Sequence, residues 1–300
     1  MIDLATIAEL ARGRFGTFDV PCPMCGPERR SAINRRRRVM RVWRLEPTFA
    51  TFHCARCGEH GHVRDDNSKP QIGRAEFERH LAAARAEAAE RERLSAAERL
   101  AKALWLWKSR KPIAGSIAET YLREVRGYRG EIPATLGYLA PRGEHGPAMI
   151  AAFGIAYEPE PGLLEIADGQ VRGVHITRLA PDGSDKAGTE RDKIMLGSSV
   201  GYPIVLAPAN DLLGLAIAEG IEDALSLHAS TGLGAWAAGS ASRLPALADA
   251  VPDYIEAVTI AVDDDDDGRR NADALAKRLL QRGIKEVSFA VARKFFGAAA

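Results

Sequence analysis

The pattern of apolar and polar residues changes period along the 300-residue chain, and the changes divide it. From Asp211 onward, short apolar runs alternate with helix-like stretches. Residues 212–218 (LLGLAIA) read as a strand, 221–230 as a helix, 234–238 as a strand and 242–250 as a helix; 256–262, 268–282 and 286–291 continue as strand, helix and strand. Strands that alternate with helices imply βαβ units and a parallel sheet. Right-handed crossovers then put the ends of 212–218 and 256–262 on one edge. In residues 73–110, Phe77, Leu81, Ala84 and Ala88 recur at helical spacing, as do Leu94, Ala97, Leu100, Ala101, Leu104 and Trp105. This predicts one long helix or two in tandem, with Trp105 and Trp107 as packing residues. Residues 111–115 break it, and 116–119 (SIAE) have the capping-box pattern that opens a short helix through Glu124. Between 130 and 210, Gly/Pro turns separate strand-like pieces at 149–155, 171–179 and 204–207, which predicts a mixed α+β unit.

Near the amino terminus the chain carries Cys22, Cys25, Cys54 and Cys57, as C-P-M-C-G and C-A-R-C-G with 28 residues between the pairs. Each C-x₂-C pair places two thiolates on one tight turn, the usual knuckle of a tetrahedral Cys₄ zinc site. The gap has room for two or three strands, including 39–43 and 50–53, so a zinc ribbon is expected. The alternative is a set of reactive or disulfide-forming thiols. The start, MIDLATIAELARGRFG, lacks the charged and apolar regions of a signal peptide, which predicts a cytoplasmic, reducing setting and favours metal. His53, His60 and His62 stand near the second knuckle; one of them could replace a cysteine as ligand, but four cysteines fill the shell, so places at the surface or just outside the ligand set are expected.

Charge sharpens the division. Net charge is +1, yet residues 28–44 carry +7 and residues 211–268 carry −11. The first end suits a polyanion and the second suits cations. Arg35, Arg36, Arg37, Arg38 and Arg41 are candidates for contact with nucleic-acid phosphates. Trp43, Phe49 and Phe52 would stack on bases if exposed, or pack the small ribbon if buried. At the acidic end, one apolar run leads into Glu219-Gly220 and another into five aspartates, 263–267, then Gly268. Ligands of open parallel sheets bind beyond the carboxyl ends of the strands. Two acidic strand ends side by side form the oxygen-rich pocket that Mg²⁺ or Mn²⁺ requires, and five adjacent aspartates repel one another without a cation. There is no internal repeat and no G-x-x-x-x-G-K-[ST], so no ATP-driven motor is encoded. No apolar run approaches the roughly 20 residues that span a bilayer.

Glu219-Gly220 with Asp263-x-Asp265-x-x-Gly268 resembles the Toprim domain of bacterial-type primases, topoisomerases and some nucleases. Residues 117–127 (IAETYLREVRG), 173–179 (GVHITRL), 193–197 (KIMLG), 219–225 (EGIEDAL) and 234–239 (GAWAAG) resemble the Toprim-containing primase-like proteins of phages, plasmids and integrated elements. The resemblance implies an α/β Toprim domain with a Rossmann-like parallel sheet at 211–300, preceded by a mixed α+β subdomain (113–210), a helical linker (67–112) and an amino-terminal Cys₄ zinc ribbon (1–66). It implies that Glu219, Asp263 and Asp265 bind Mg²⁺ or Mn²⁺, with Glu219 a metal ligand or a general base. Asp223 matches a commonly acidic position, and Lys193 and Arg178 match basic residues that contact nucleotide or primer. The implied activity is synthesis of short RNA primers from NTPs on a single-stranded DNA template, with any replicative helicase a separate chain. A Toprim nuclease and a non-catalytic nucleic-acid-binding accessory protein are the alternatives. One departure bears on catalysis: no acidic residue follows Glu286.

Overall fold

The computed structural model describes residues 2–27, 32–65, 74–161 and 163–291. Two compact units emerge, Met1–Leu94 and Ser95–Ala300.

In the first unit, α1 (Leu4–Leu10) is capped by Asp3, whose carboxylate accepts from the Thr6 N–H at 2.7 Å. Strand β1 (Gly16–Pro21), a short helix α2 (Ala32–Arg36), β2 (Arg38–Glu46), β3 (Phe49–Cys54) and β4 (His60–Arg64) follow. The strands form an antiparallel sheet in the order β1-β2-β3-β4. Alternation along β2 turns Met40 and Val42 inward, onto Ile7, Val20, Ala50 and Phe52. Cys22, Cys25 and Cys54 belong to the same cluster, so this small core depends on its thiols.

Helix α3 (Arg74–Lys108) is single and 35 residues long, and the boundary between the units falls within it. The side chain of Phe77 lies outside the described residues. Leu94 is half exposed. The two tryptophans part company: Trp107 is fully buried, whereas Trp105 is half exposed with the Arg142 guanidinium over its ring at 5.3 Å. Packing of Trp105 was the expectation, but burial here follows Ala103 and Trp107, four residues apart on one helix face.

The second unit continues with α4 (Ile117–Thr120), capped by Ser116, and one π-turn through Val125. Then come β5 (Leu136–Leu139), β6 (Ala148–Gly154), β7 (Tyr157–Glu160), β8 (Leu163–Glu165), β9 (Val171–Arg178) and β10 (Lys193–Gly197). β10-β9-β6-β5 make an antiparallel sheet, and β7 and β8 pair as a separate ribbon. The second large sheet holds β11 (Ile204–Ala207), β12 (Gly214–Ala218), β13 (Gly234–Ala237), β14 (Ala257–Val262) and β15 (Glu286–Val291), in the order β11-β13-β12-β14-β15. Helix α5 (Ile221–Thr231) joins β12 to β13, and α6 (Asp266–Gln281) joins β14 to β15.

Four of these strands are parallel, as the alternation predicts, but β11 runs antiparallel to β13. Residues 204–207 thus pair with the second large sheet, not with the strands before them. All four are apolar and buried, and an antiparallel edge strand is a common end to a parallel sheet. The helix expected near 242–250 is a 3₁₀ run, Ala241–Ala250, because Pro245 lacks the N–H that an α-helical bond requires. Leu215 and Ile217 of β12 face Leu244, Leu247, Leu275 and Leu279 on one side of this sheet. Ala218 faces Phe153, Tyr121 and Leu225 on the other, which packs the antiparallel sheet against the second sheet.

Candidate functional site

The four cysteine sulfurs all lie within 4.8 Å of one another, with Cys22 and Cys57 at 3.9 Å and Cys25 and Cys54 at 3.9 Å. A tetrahedral zinc with bonds of about 2.3 Å separates its sulfurs by about 3.8 Å. A disulfide would hold one pair at about 2 Å. The geometry fits one metal ion, and the knuckles are built for it. Gly26 N donates to the Cys22 carbonyl and Gly58 N to the Cys54 carbonyl, both at 2.9 Å. A Cβ on Gly26 would stand 2.5 Å from the Cys22 oxygen, and Gly58 has φ +74, so each turn needs its glycine. For Cys54, burial disfavours the thiolate, but the backbone N–H groups of Cys57 and Arg56 outweigh it and leave the thiol at about 7. His53, His60 and His62 are exposed, away from ligand positions.

The basic stretch spans two elements. Arg35 and Arg36 end α2, Arg37 follows, and Arg38 opens β2; all four side chains are exposed, while Arg29 and Arg30 lie outside the described residues. Arg41 forms a two-pronged ion pair with Asp19, at 2.8 and 3.0 Å. Trp43 shares the outer face of β2 with Arg41 and is half-buried. Phe52 belongs to the core, so the stacking considered for it is ruled out by packing.

In the second unit, β12 and β14 are parallel neighbours, with Ile217 opposite Ile260. Glu219 follows β12 and Asp263 follows β14, so both emerge at the same sheet edge. The Glu219 carboxyl is half-buried. Its pKa is raised by desolvation first and by Asp263 next, with Asp265 and Asp223 adding and Lys193 opposing. Asp223, on the first turn of α5, is likewise raised by burial and then by Asp263 and Glu222, against Lys193 and Lys186. Four carboxylates therefore share one field, which a divalent cation would relieve. They stand more widely spaced than the thiols: among the described residues only the cysteines bring three or more ligand atoms within 4.8 Å. Mg²⁺ usually keeps several waters and is held by one or two carboxylates, so this donor set fits it.

Two glycines set the acids. A Cβ on Gly268 would stand 2.7 Å from the Asp263 carbonyl oxygen and 3.2 Å from its Cβ. Only glycine lets α6 begin so close to the end of β14. Asp265 caps that helix, accepting from Gly268 N at 2.6 Å. A Cβ on Gly220 would meet the Asp223 carboxylate at 2.5 Å. The five aspartates are not the unrelieved cluster that the sequence suggests. Asp264 and Asp266 pair with Arg269 and Asp267 with Arg270, one turn along α6. Neither Asp263 nor Asp265 enters those pairs.

Lys193 opens β10 opposite Thr177 of β9 and lies within the field of Glu219, Asp223 and Glu222. Arg178, the next residue after Thr177, alternates onto the face of Val174 and Ile176, which packs toward Trp107. The fold therefore brings Lys193 to the acids and does not bring Arg178 with it.

A buried polar network beside the acids escaped sequence reasoning. Tyr121 donates to the Glu222 carboxylate at 2.6 Å, and the Lys186 ammonium lies 3.4 Å from the same oxygen. Burial opposes the Glu222 charge, but Lys186 and Tyr121 outweigh it and hold the pKa at about 2. Arg126 Nε donates to the Tyr121 hydroxyl at 2.9 Å, and its Nη2 reaches Asp185 at 3.3 Å. Tyr121 opens the π-turn, whose wider ring of backbone bonds is frequent at functional sites. His175, 3% exposed, is held neutral with a pKa of about 4, by burial first and the Lys193 charge second.

A largely parallel sheet with Glu-Gly after one strand and Asp-x-Asp after its neighbour defines an α/β fold with an acidic carboxyl edge. Residues 214–294 match the family model of the Toprim domain, so this part of the chain is a Toprim domain. Residues 97–206 match the model of a domain of unknown function (DUF7146). No curated protein matches the chain. Among solved structures, the primase fragment of the bacteriophage T7 primase-helicase protein is similar at 12% identity with a TM-score of 0.37, over 91% of this chain and 89% of that one. The zinc-binding and RNA polymerase domains of the Aquifex aeolicus primase are similar at 17% identity with a TM-score of 0.42, over 97% of this chain and 77% of that one.

Proposed function

We propose that this protein is a primase-type nucleotidyltransferase that joins ribonucleotides into short RNA primers on single-stranded DNA. The observation that carries the reading is the exit of Glu219 and Asp263 from adjacent parallel strands at one edge, in a common field with Asp223, Asp265 and Lys193. The 3′-hydroxyl of one nucleotide attacks the α-phosphorus of the next, and pyrophosphate leaves. Glu219, Asp263 and Asp265, with Asp223 beside them, would hold Mg²⁺ or Mn²⁺, which when bound would lower the pKa of the attacking hydroxyl and neutralise phosphate charge. Glu219, its pKa raised by desolvation and then by Asp263, gains from the cation's charge, and the hydroxyl proton leaves to water. Lys193 attracts the triphosphate or the primer end. A zinc held by Cys22, Cys25, Cys54 and Cys57 keeps the first unit folded, and Arg35, Arg36, Arg37, Arg38, Arg41 and Trp43 engage the template. Among the described residues no helix is long and apolar enough to cross a membrane. We further infer a cytoplasmic setting, a replicative helicase as partner and a mobile element as the source of the chain.

The test is incubation with single-stranded DNA, labelled NTPs and Mg²⁺ or Mn²⁺. Short labelled RNA from the wild type, absent with Asp263→Asn, is the expected result. Shortened DNA without RNA identifies a nuclease. DNA binding without either product identifies an accessory protein.

A further inference from the structure

Arg243 is a cation without a counter-charge beside the acidic edge. It lies in the 3₁₀ run after β13, in a segment entered through Gly239, whose N–H donates to the Glu219 carbonyl at 2.9 Å. Its guanidinium stacks on the Phe153 ring at 4.7 Å, and Nη2 donates to the Ser199 hydroxyl at 2.7 Å. Nε is buried and has no acceptor, and no carboxylate pairs with Arg243 among the described residues. A guanidinium carries five N–H donors; with Nε sealed and one Nη2 donor on Ser199, those of Nη1 and the second of Nη2 are left for something outside the protein. A half-buried cation held this way is costly unless an anion joins it.

The surroundings are shaped around that fork. A Cβ on Gly173 would stand 2.9 Å from the Ser199 Cβ, and a Cβ on Gly239 (φ +85) would stand 2.9 Å from Phe153 Cζ and 3.2 Å from Met195 Sδ. The two glycines allow Ser199 and Phe153 to reach the guanidinium. The hydroxyls of Ser240 and Ser242 lie in the same loop, 3.4 Å apart. His175 feels Lys193, Lys186 and Arg243 together, so three cations gather around one buried imidazole, on the same side of the unit as Glu219.

We propose that Arg243, with Ser199 beside it, binds the terminal phosphates of a nucleoside triphosphate whose α-phosphorus lies at the Glu219–Asp263 edge. The inference rests on the nucleotidyltransferase reading and adds a phosphate subsite to it. A planar fork matches two phosphate oxygens at once, which a lysine does not. A triphosphate is the substrate segment that carries several charges in one short chain, and it can meet Lys193 and Arg243 together.

The test measures equilibrium binding of fluorescent ATP and AMP and of single-stranded DNA to the full chain, wild type, Arg243→Gln and Arg243→Lys. Inorganic tripolyphosphate in EDTA, read by thermal shift, is a metal-free and base-free probe. Arg243→Gln weakens ATP by about tenfold or more, and AMP and DNA by less than about twofold; Arg243→Lys falls between. Tripolyphosphate raises the melting temperature of the wild type and not of Arg243→Gln. Equal ATP affinity in both proteins, or equal losses for ATP and AMP, overturns the proposal. A loss confined to DNA overturns it too and assigns Arg243 to a nucleic-acid backbone. If Arg243→Gln does not fold, Arg243→Lys with unchanged ATP affinity serves as the contradicting result. A wild type that binds tripolyphosphate but makes no RNA refutes priming and keeps the subsite; one that binds neither tripolyphosphate nor ATP refutes the subsite.

Discussion

Glu219 and Asp263 are brought together by strand register. Ile217 of β12 lies opposite Ile260 of β14, the strands are parallel, and each acid follows the end of its own strand. The Glu219 carboxyl feels Asp263 more than any other charged group. Among the described residues Lys193 opposes this repulsion only in part. Carboxylates held in such a field store instability that a divalent ion removes.

Gly268→Ala tests how closely α6 must approach Asp263. The new methyl meets the Asp263 carbonyl, which is backbone and cannot swing aside. Stability falls by about 1–3 kcal/mol in urea denaturation, and primer synthesis falls with it. Gly220→Ala meets only the far end of the Asp223 side chain, so its loss of stability is smaller.

Lys186→Met strands the Glu222 charge. Glu222 is nearly buried, and among the described residues Lys186 is its cationic partner within 4 Å. The single substitution costs about 3–5 kcal/mol, and Lys186→Met with Glu222→Gln recovers much of it. Urea denaturation of the four proteins of the cycle reads the coupling; additive effects would contradict the pairing.

His175 predicts a pH dependence. Its folded pKa of about 4 is below the ordinary histidine value of 6.5, so the unfolded chain binds the proton first as pH falls. The neutral ring contributes its full stability above about pH 6.5, and about 3 kcal/mol is lost by about pH 4. The difference in unfolding free energy between wild type and His175→Gln, followed from pH 7.5 to 4, isolates this slope. A difference that stays constant across that window contradicts the assignment.

The first unit stands or falls with its metal. Metal analysis gives about one zinc per chain, and Cys54→Ala removes it. After chelation, limited proteolysis digests Met1–Leu94 and leaves Ser95–Ala300, because three of the cysteines are themselves part of the small core. Survival of the first unit without metal, with thiols paired as disulfides, would contradict the zinc assignment.

The parts of this structure that depend on local period were legible in the residues. The β12, β14 and β15 strands, α5 and α6, and the two C-x₂-C knuckles are local patterns with local causes. The edge strand β11 groups with the mixed unit in sequence yet pairs with β13, because pairing partners leave no mark on a four-residue apolar run. The Tyr121–Glu222 bond spans 101 positions, and Arg243 meets Ser199 across 44, so neither leaves a sequence motif. The aspartate run looked unrelieved because Arg269 and Arg270 become its partners only once α6 forms. Lys193 and Arg178 look alike as basic residues in the sequence, yet strand alternation puts Arg178 on the other face from Thr177, the residue that Lys193 faces.

The central claim is that Glu219 and Asp263 share one divalent cation. Calorimetric titration of the zinc-loaded protein with Mn²⁺, together with melting in EDTA, tests it most directly. The account predicts that Glu219→Gln and Asp263→Asn each weaken Mn²⁺ by about tenfold or more, and that both variants melt above the wild type in EDTA because a repelling charge is gone. Mn²⁺ affinity unchanged in both variants, with melting no higher than the wild type, would contradict it.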